Sequence, residues 1–220
     1  MQNEQIKTSF VEEVSRPGKI MKFLESIPIC SNALFKYKLD IQEDLTLKFK
    51  EEQFEYNSPA LPGVNCFAGK DYKILKKYKN LNDEINKAVN STIKEILMLD
   101  NTQYEIFSSW LTKTEPKAFS KFHNHTNCWL SGVYYPKGDP GFGIKFNYGN
   151  VSQFQTSATD YNIYNSTEWN VVAEDNLLIL FFSQLQHQIT PNNSSKDRYS
   201  LAFNIIPRGS FGTMDSTVVF

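Results

Sequence analysis

"FHNHTNCWLSGVYY", Phe122–Tyr135, sets two of the chain's three histidines one residue apart, directly ahead of an apolar and aromatic run. In an extended strand residues i and i+2 project to the same face, so His123 and His125 would present both imidazoles on one side. Neutral imidazole is the commonest metal ligand and suits iron, zinc, copper and nickel. The third histidine, His187, follows the apolar run "LLILFF" (Leu177–Phe182) in "FFSQLQHQITPN". There it would sit on a rim of the sheet, across from the pair.

Reading outward, the period from Tyr104 onward is that of strands. "YEIFSSWLT", "NCWLSGVYY", "FGIKFNY", "EWNVVA", "LLILFF" and "YSLAFNII" succeed one another, separated by turn clusters such as "PKGDPG" and "TPNNSSKD". Many short strands with alternating or fully apolar character predict an all-β core of jelly-roll type. Ahead of them, Leu75, Tyr78, Leu81, Ile85, Val89, Ile93 and Ile96 recur at three- and four-residue steps. That spacing predicts one long helix over 71–100, capped by Asp71, stopped at Asp100-Asn101, and buttressing one outer face of the sheet. Within residues 1–70, Leu34–Ile41 and Leu45–Lys50 read as short strands and Ser58–Asn65 as a turn-rich break. The expected organisation is a single domain: an extension over 1–70, the helix over 71–100 and the β core over 101–220.

Composition narrows the function classes. The chain has 220 residues, 40% hydrophobic and 21% charged, with a 14% aromatic share that favours a β-rich core. A formal net charge of -1 argues against electrostatic capture of nucleic acid or of an anionic membrane. Cys30, Cys66 and Cys128 stand far apart without ligand spacing and read as free thiols. The polar, acidic start "MQNEQIKTSFVEE" does not read as a signal peptide, and "LLILFF" is too short to span a bilayer. The expectation is a cytoplasmic protein.

Downstream of His187, Arg198, Ser200, Ala202 and Asn204 alternate with Tyr199, Leu201, Phe203 and Ile205. One face of that strand is polar or small and the other is apolar. An arginine on the inward face is costly unless an anion pairs with it, and its planar fork suits a carboxylate, with the Ser200 hydroxyl beside it. The competing reading puts Arg198 at the strand mouth, in water.

The order H-x-H, a long gap, H, then R-x-S resembles that of the Fe(II)/2-oxoglutarate dioxygenases. "HNHTNCWLSGVYYPK", "LLILFFSQLQHQITPN" and "RYSLAFNIIPRG" look like a bacterial and phage branch of that superfamily; the likeness covers roughly Trp110 to Arg208. The resemblance implies a double-stranded β-helix. It implies Fe(II) held by His123, His125 and His187, with O2 and 2-oxoglutarate as cosubstrates. It implies that Arg198 and Ser200 grip the far carboxylate of 2-oxoglutarate. A tyrosine of the "SGVYY" strand would add a hydroxyl: Tyr135 first, Tyr134 in reserve, since alternation puts only one of them inside. Asn204 is a further candidate for contact with cosubstrate or substrate. The reaction implied is hydroxylation of a small-molecule or peptide substrate, with release of succinate and carbon dioxide.

One feature departs from the wider superfamily, where the second ligand is an aspartate or glutamate. Here His125 takes that place, and three neutral imidazoles leave the metal with one more unit of positive charge. Asp139 is expected to serve a turn, and Glu174 and Asp175 to be solvated, so none of them substitutes. Phe122, Trp129, Phe146 and Phe182 are candidates for an apolar ring around the metal, or for plain core packing. The C-terminal "RGSFGTMDSTVVF" could close the barrel mouth, add an edge strand or form a homodimer contact. Two other readings keep the barrel: a three-histidine zinc hydrolase, and a non-catalytic jelly-roll binding module.

Overall fold

The computed structural model describes residues 32–56, 65–99, 103–149, 159–162 and 164–219. Cys30, the Asp100-Asn101 helix stop and most of the Ser58–Asn65 break lie outside them.

Two sheets form the core. Seven strands make the larger, in the order β1 (Leu34–Lys38), β8 (Leu177–Phe182), β5 (Leu130–Tyr135), β10 (Arg198–Arg208), β4 (Gln103–Thr114), β3 (Cys66–Gly69) and β2 (Phe54–Tyr56). The smaller has β7 (Glu168–Ala173), β6 (Asp139–Asn147) and β9 (Gln186–Ile189). All named pairings are antiparallel. This is the expected jelly roll. Residues 34–69, expected as an extension, supply β1, β2 and β3 of the larger sheet.

β8 shows why the sheet must be covered twice. Leu177, Ile179 and Phe181 enter the core between the sheets with Val133, Tyr135 and Phe146. Leu178 and Leu180 enter a second core on the outer face, with Leu201, Phe203 and Ile205 of β10. A strand buried on both faces reads as a continuous apolar run, which is how "LLILFF" is written.

Helices cover that outer face. Leu81, Ile85, Ala88 and Val89 of α2 (Lys79–Ser91) are buried there, and a π-helical turn over Thr92–Ile96 continues it. The predicted single helix from residue 71 is corrected. Asp71 does not cap it; its carboxylate accepts from the Lys73 N–H at 2.8 Å in an Asx-type turn. A 3-10 turn follows at Ile74–Lys77, and Tyr78 leaves the helical region before α2 begins. Ile96, counted in the apolar stripe, is exposed.

Leu45–Lys50 is a second correction: it is helix α1, not a strand. The alternation of Leu45, Leu47 and Phe49 also satisfies an i, i+4 pair. Leu45 and Phe49 are fully buried, whereas Leu47 is 62% exposed. The Asp44 carboxylate accepts from the Thr46 N–H at 3.0 Å, an N-cap that the strand reading overlooked.

The tail folds into a short hairpin, β11 (Ser210–Phe211) with β12 (Val218–Val219). Gly209 and Gly212 bend the chain with φ of +108° and +85°. Phe211 lines a side cavity with Trp129, Cys128 and Leu99, apart from the cavity between the sheets.

Gly132 of "SGVYY" tests the packing. A Cβ there would lie 2.2 Å from Cζ of the fully buried Phe203. Gly132→Ala is expected to destabilise the fold by about 1–3 kcal/mol, as overpacking does, in denaturant unfolding. Combination with Phe203→Leu should recover part of that loss; additive losses would contradict the contact.

Candidate active site

The site is assembled by backbone pairing before any side chain is considered. His123 and His187 form an antiparallel bridge: the His123 N–H donates to the His187 carbonyl at 2.9 Å, and the return bond is 2.8 Å. One step on, the His125 N–H donates to the Ser183 carbonyl at 3.0 Å. These bonds hold the H-x-H segment beside the end of β8 and the start of β9. The three rings meet there, with centroids 4.5 Å apart for His123–His187, 5.0 Å for His125–His187 and 5.5 Å for His123–His125. One ligand nitrogen from each lies within 4.8 Å of the others.

In each ring Nδ1 faces an oxygen. His123 Nδ1 lies 2.9 Å from the Lys121 carbonyl, and His187 Nδ1 lies 2.9 Å from the Leu185 carbonyl. His125 Nδ1 lies 2.6 Å from Asn204 Oδ1. An imidazole that donates through Nδ1 keeps its Nε2 lone pair free, the arrangement that metal-binding histidines use. Burial pushes all three rings below the ordinary histidine range and favours the neutral form that a metal requires. His187, the most buried, is pushed down to about 3. The chemistry of this donor set fits a divalent transition metal.

The rings open into a cavity of about 670 Å³ between the sheets, which Tyr135 and Ser200 also line. Arg198 stands two residues before Ser200 on the same face of β10 and is only 2% exposed. Its guanidinium lies 5.0 Å from the Tyr135 ring centroid and 4.3 Å from that of Phe142. Nη1 donates to the Gly143 carbonyl at 3.0 Å, while the buried Nε and Nη2 have no acceptor among the described residues. Burial pushes the guanidinium below its ordinary range. A buried cation with two idle donors is costly in isolation and is matched by a carboxylate. The strand-mouth alternative for Arg198 is therefore excluded by its burial.

The remaining sequence candidates divide. Tyr134 faces the helices, and its hydroxyl donates to Asn176 Oδ1 at 2.7 Å. Asn204 lines the cavity, engaged with His125 and Ser131. Phe146 lies 6.0 Å from His187. Phe182 turns away onto Phe35, and its neighbour Phe181 takes the place expected for it, 4.8 Å from His187. Trp129 packs toward the helix-side core. Phe122 is half-buried. Asp139 serves its turn, accepting from the Gly141 N–H at 2.7 Å, and Glu174 and Asp175 meet surface lysines.

Sequence reasoning missed Trp110, 5.6 Å from His125, and the outer wall formed by Tyr72 and Glu55, joined by a 3.1 Å hydrogen bond. It also missed Ser131, although the alternation in "SGVYY" puts Ser131, Val133 and Tyr135 on one face.

Residues 108–204 match the family model described as "Putative 2OG-Fe(II) oxygenase". Among solved structures, the fold is similar to a Pseudomonas putida prolyl-4-hydroxylase (15% identity, 81% of this chain and 95% of that one, TM-score 0.51). It is also similar to HygX from Streptomyces hygroscopicus with nickel, 2-oxoglutarate and hygromycin B bound (9%, 80% and 83%, TM-score 0.54). A third is a prolyl hydroxylase from Trichoplax adhaerens in complex with a hypoxia inducible factor peptide fragment (10%, 80% and 84%, TM-score 0.55). A search of curated proteins gives no match. The family match, the jelly-roll fold and the three-histidine group together support a 2-oxoglutarate- and Fe(II)-dependent oxygenase, with Fe(II), 2-oxoglutarate and O2 as its reagents. Among the described residues no helix is long and apolar enough to cross a membrane.

The buried rings set a pH dependence. An unfolded chain protonates His187 below its ordinary value of 6.5, whereas the native ring stays neutral down to about 3. Below pH 6.5 the unfolded state therefore binds more protons, and the stability of the metal-free protein falls as pH falls. The expected slope from this group approaches 1.4 kcal/mol per pH unit. His187→Gln should flatten it in urea unfolding compared at pH 7 and pH 5; an unchanged slope would contradict the burial argument.

Proposed function

We propose that the protein couples oxidative decarboxylation of 2-oxoglutarate to oxidation of a C–H bond in a small-molecule or peptide substrate. One observation carries this reading: the buried Arg198 guanidinium, with two donors unmatched, shares a strand face with residues lining a cavity where three imidazoles converge. A zinc hydrolase would give Arg198 no task, and a binding module would need neither feature.

In this reading His123, His125 and His187 hold Fe(II) through Nε2. When bound, the iron activates O2, so that 2-oxoglutarate, O2 and R–H become succinate, carbon dioxide and R–OH. The chain's own residues bind, orient and exclude. Arg198 pairs with the distal carboxylate of 2-oxoglutarate, and Ser200 and Tyr135 add hydroxyls beside it. Burial strengthens that ion pair, because little water competes for the guanidinium. Three neutral ligands leave the metal its full charge of about +2, which favours a dianionic cosubstrate. Phe146 and Phe181 pack around His187 and limit the approach of water. The substrate enters along Tyr72 and Trp110, whose rings stand 6.5 Å apart and lead inward to His125. Among the described lining residues only Glu55 carries a carboxylate there.

Anaerobic titration with Fe(II) and 2-oxoglutarate is expected to produce a weak visible charge-transfer band, and air should then yield succinate. Arg198→Ala should abolish the band and lower succinate formation by at least about 100-fold, since a buried charge pair loses 3–5 kcal/mol when one partner goes. Metal binding, measured by calorimetry, should persist in that variant. A band of wild-type strength in Arg198→Ala would refute the assignment.

A further inference from the structure

We infer that Asn204 is a positioning residue that sets the tautomer of His125 and so lets a histidine stand where the superfamily's usual site has a carboxylate. The inference rests on the reading of the three imidazoles as metal ligands.

The three rings are not held alike. His123 and His187 each face a backbone carbonyl, that of Lys121 and of Leu185. A carbonyl can only accept, so those rings must carry the proton on Nδ1. His125 alone faces a side-chain amide, Asn204 Oδ1 at 2.6 Å. An amide can present oxygen or nitrogen. With nitrogen toward the ring, Nδ1 would accept, the proton would move to Nε2, and no lone pair would remain for a metal.

In the structure the amide oxygen faces the ring beside a chain of buried hydroxyls. Ser131 Oγ donates to Asn204 Oδ1 at 2.8 Å and stands 2.8 Å from Ser183 Oγ. Ser131 and Ser183 are both 0% exposed. Ser131 lies 3.0 Å from His125 Nδ1 as well, but its single proton goes to Asn204, so it has none to offer the ring. Asn204 Oδ1 thus takes one proton from Ser131 and one from the imidazole, filling both lone pairs. The register makes this possible. Asn204 and Ser131 are direct cross-strand partners on β10 and β5, and a register shift against β4 follows immediately after Asn204. Such bulges re-aim side chains. The amide is neutral, so it orients His125 without returning the negative charge that the usual carboxylate supplies.

Long-range proton–nitrogen NMR on metal-free protein at about pH 8, where imidazole is neutral, reads the tautomer directly. Wild-type His125 is expected as the Nδ1–H form; an Nε2–H ring would overturn the inference. Asn204→Leu, similar in size but without an acceptor, should shift His125 toward Nε2–H. Ser131→Ala, which frees the amide to turn, should shift it in the same direction. Titration with Co(II) should show about 10–100-fold weaker binding in Asn204→Leu, the range found for such outer partners. Asn204→Asp, which can still accept, should bind Co(II) at least as tightly as wild type. If Asn204→Asp binds as weakly as Asn204→Leu, the side chain matters for packing only and the inference fails. His187→Ala separates this from the ligand assignment. Co(II) binding unchanged in His187→Ala would sink the three-histidine site itself. Loss there, with wild-type tautomer and affinity in Asn204→Leu, would sink only the role of Asn204.

Discussion

The paired backbone hydrogen bonds between His123 and His187 are the constraint on which the site depends. They are made by main-chain groups, so they leave both imidazoles free to project into the cavity. They also join the segment ahead of β5 to the start of β9, the strand at one edge of the smaller sheet. The H-x-H segment has little regular structure of its own. Its geometry is borrowed from β8 and β9 through the carbonyls of Ser183 and His187. Without that bridge the ligand nitrogens would separate, because nothing local holds an extended tripeptide against another strand.

Arg198 is the second expensive element. A fully buried guanidinium bonded to one carbonyl and packed against two aromatic rings is under-satisfied, and ring contacts offset only part of the desolvation. Consistency across sequence, packing and polar satisfaction holds along most of β10 and fails at this residue. Failures of that kind mark functional positions. The same strand carries Asn204 on the same face, so one alternation delivers a buried guanidinium at one end and a partner for His125 at the other.

The electrostatics of the cavity follow from its ligand set. Three imidazoles driven toward neutrality by burial, one buried cation and few carboxylates make a site that favours anions. Each ring is fixed through Nδ1, twice by a backbone carbonyl and once by an amide beside buried serines. The aromatic wall from Tyr72 through Trp110 to His125 gives the open side of the cavity a different character, with broad faces and, among the described residues, the single acid Glu55 at the rim.

Much of this was legible in the sequence, for a local reason. Alternation of side chains along a strand is covalent geometry, so the shared faces of His123 with His125, and of Arg198 with Ser200 and Asn204, could be read from spacing. The apolar stripe of α2 was legible in the same way. Where two periods fit equally, alternation was ambiguous: Leu45–Lys50 satisfies both alternation and an i, i+4 pair, and the Asp44 N-cap with the burial of Leu45 and Phe49 separates them. A strand apolar on both faces hides its parity, which is why Phe181 rather than Phe182 meets His187. Which faces meet, whether Arg198 is buried or wet, and that Asn204 reaches His125 beside Ser131 were decided by tertiary structure alone. Register and cross-sheet pairing join residues far apart in the chain, and no local pattern encodes the partner.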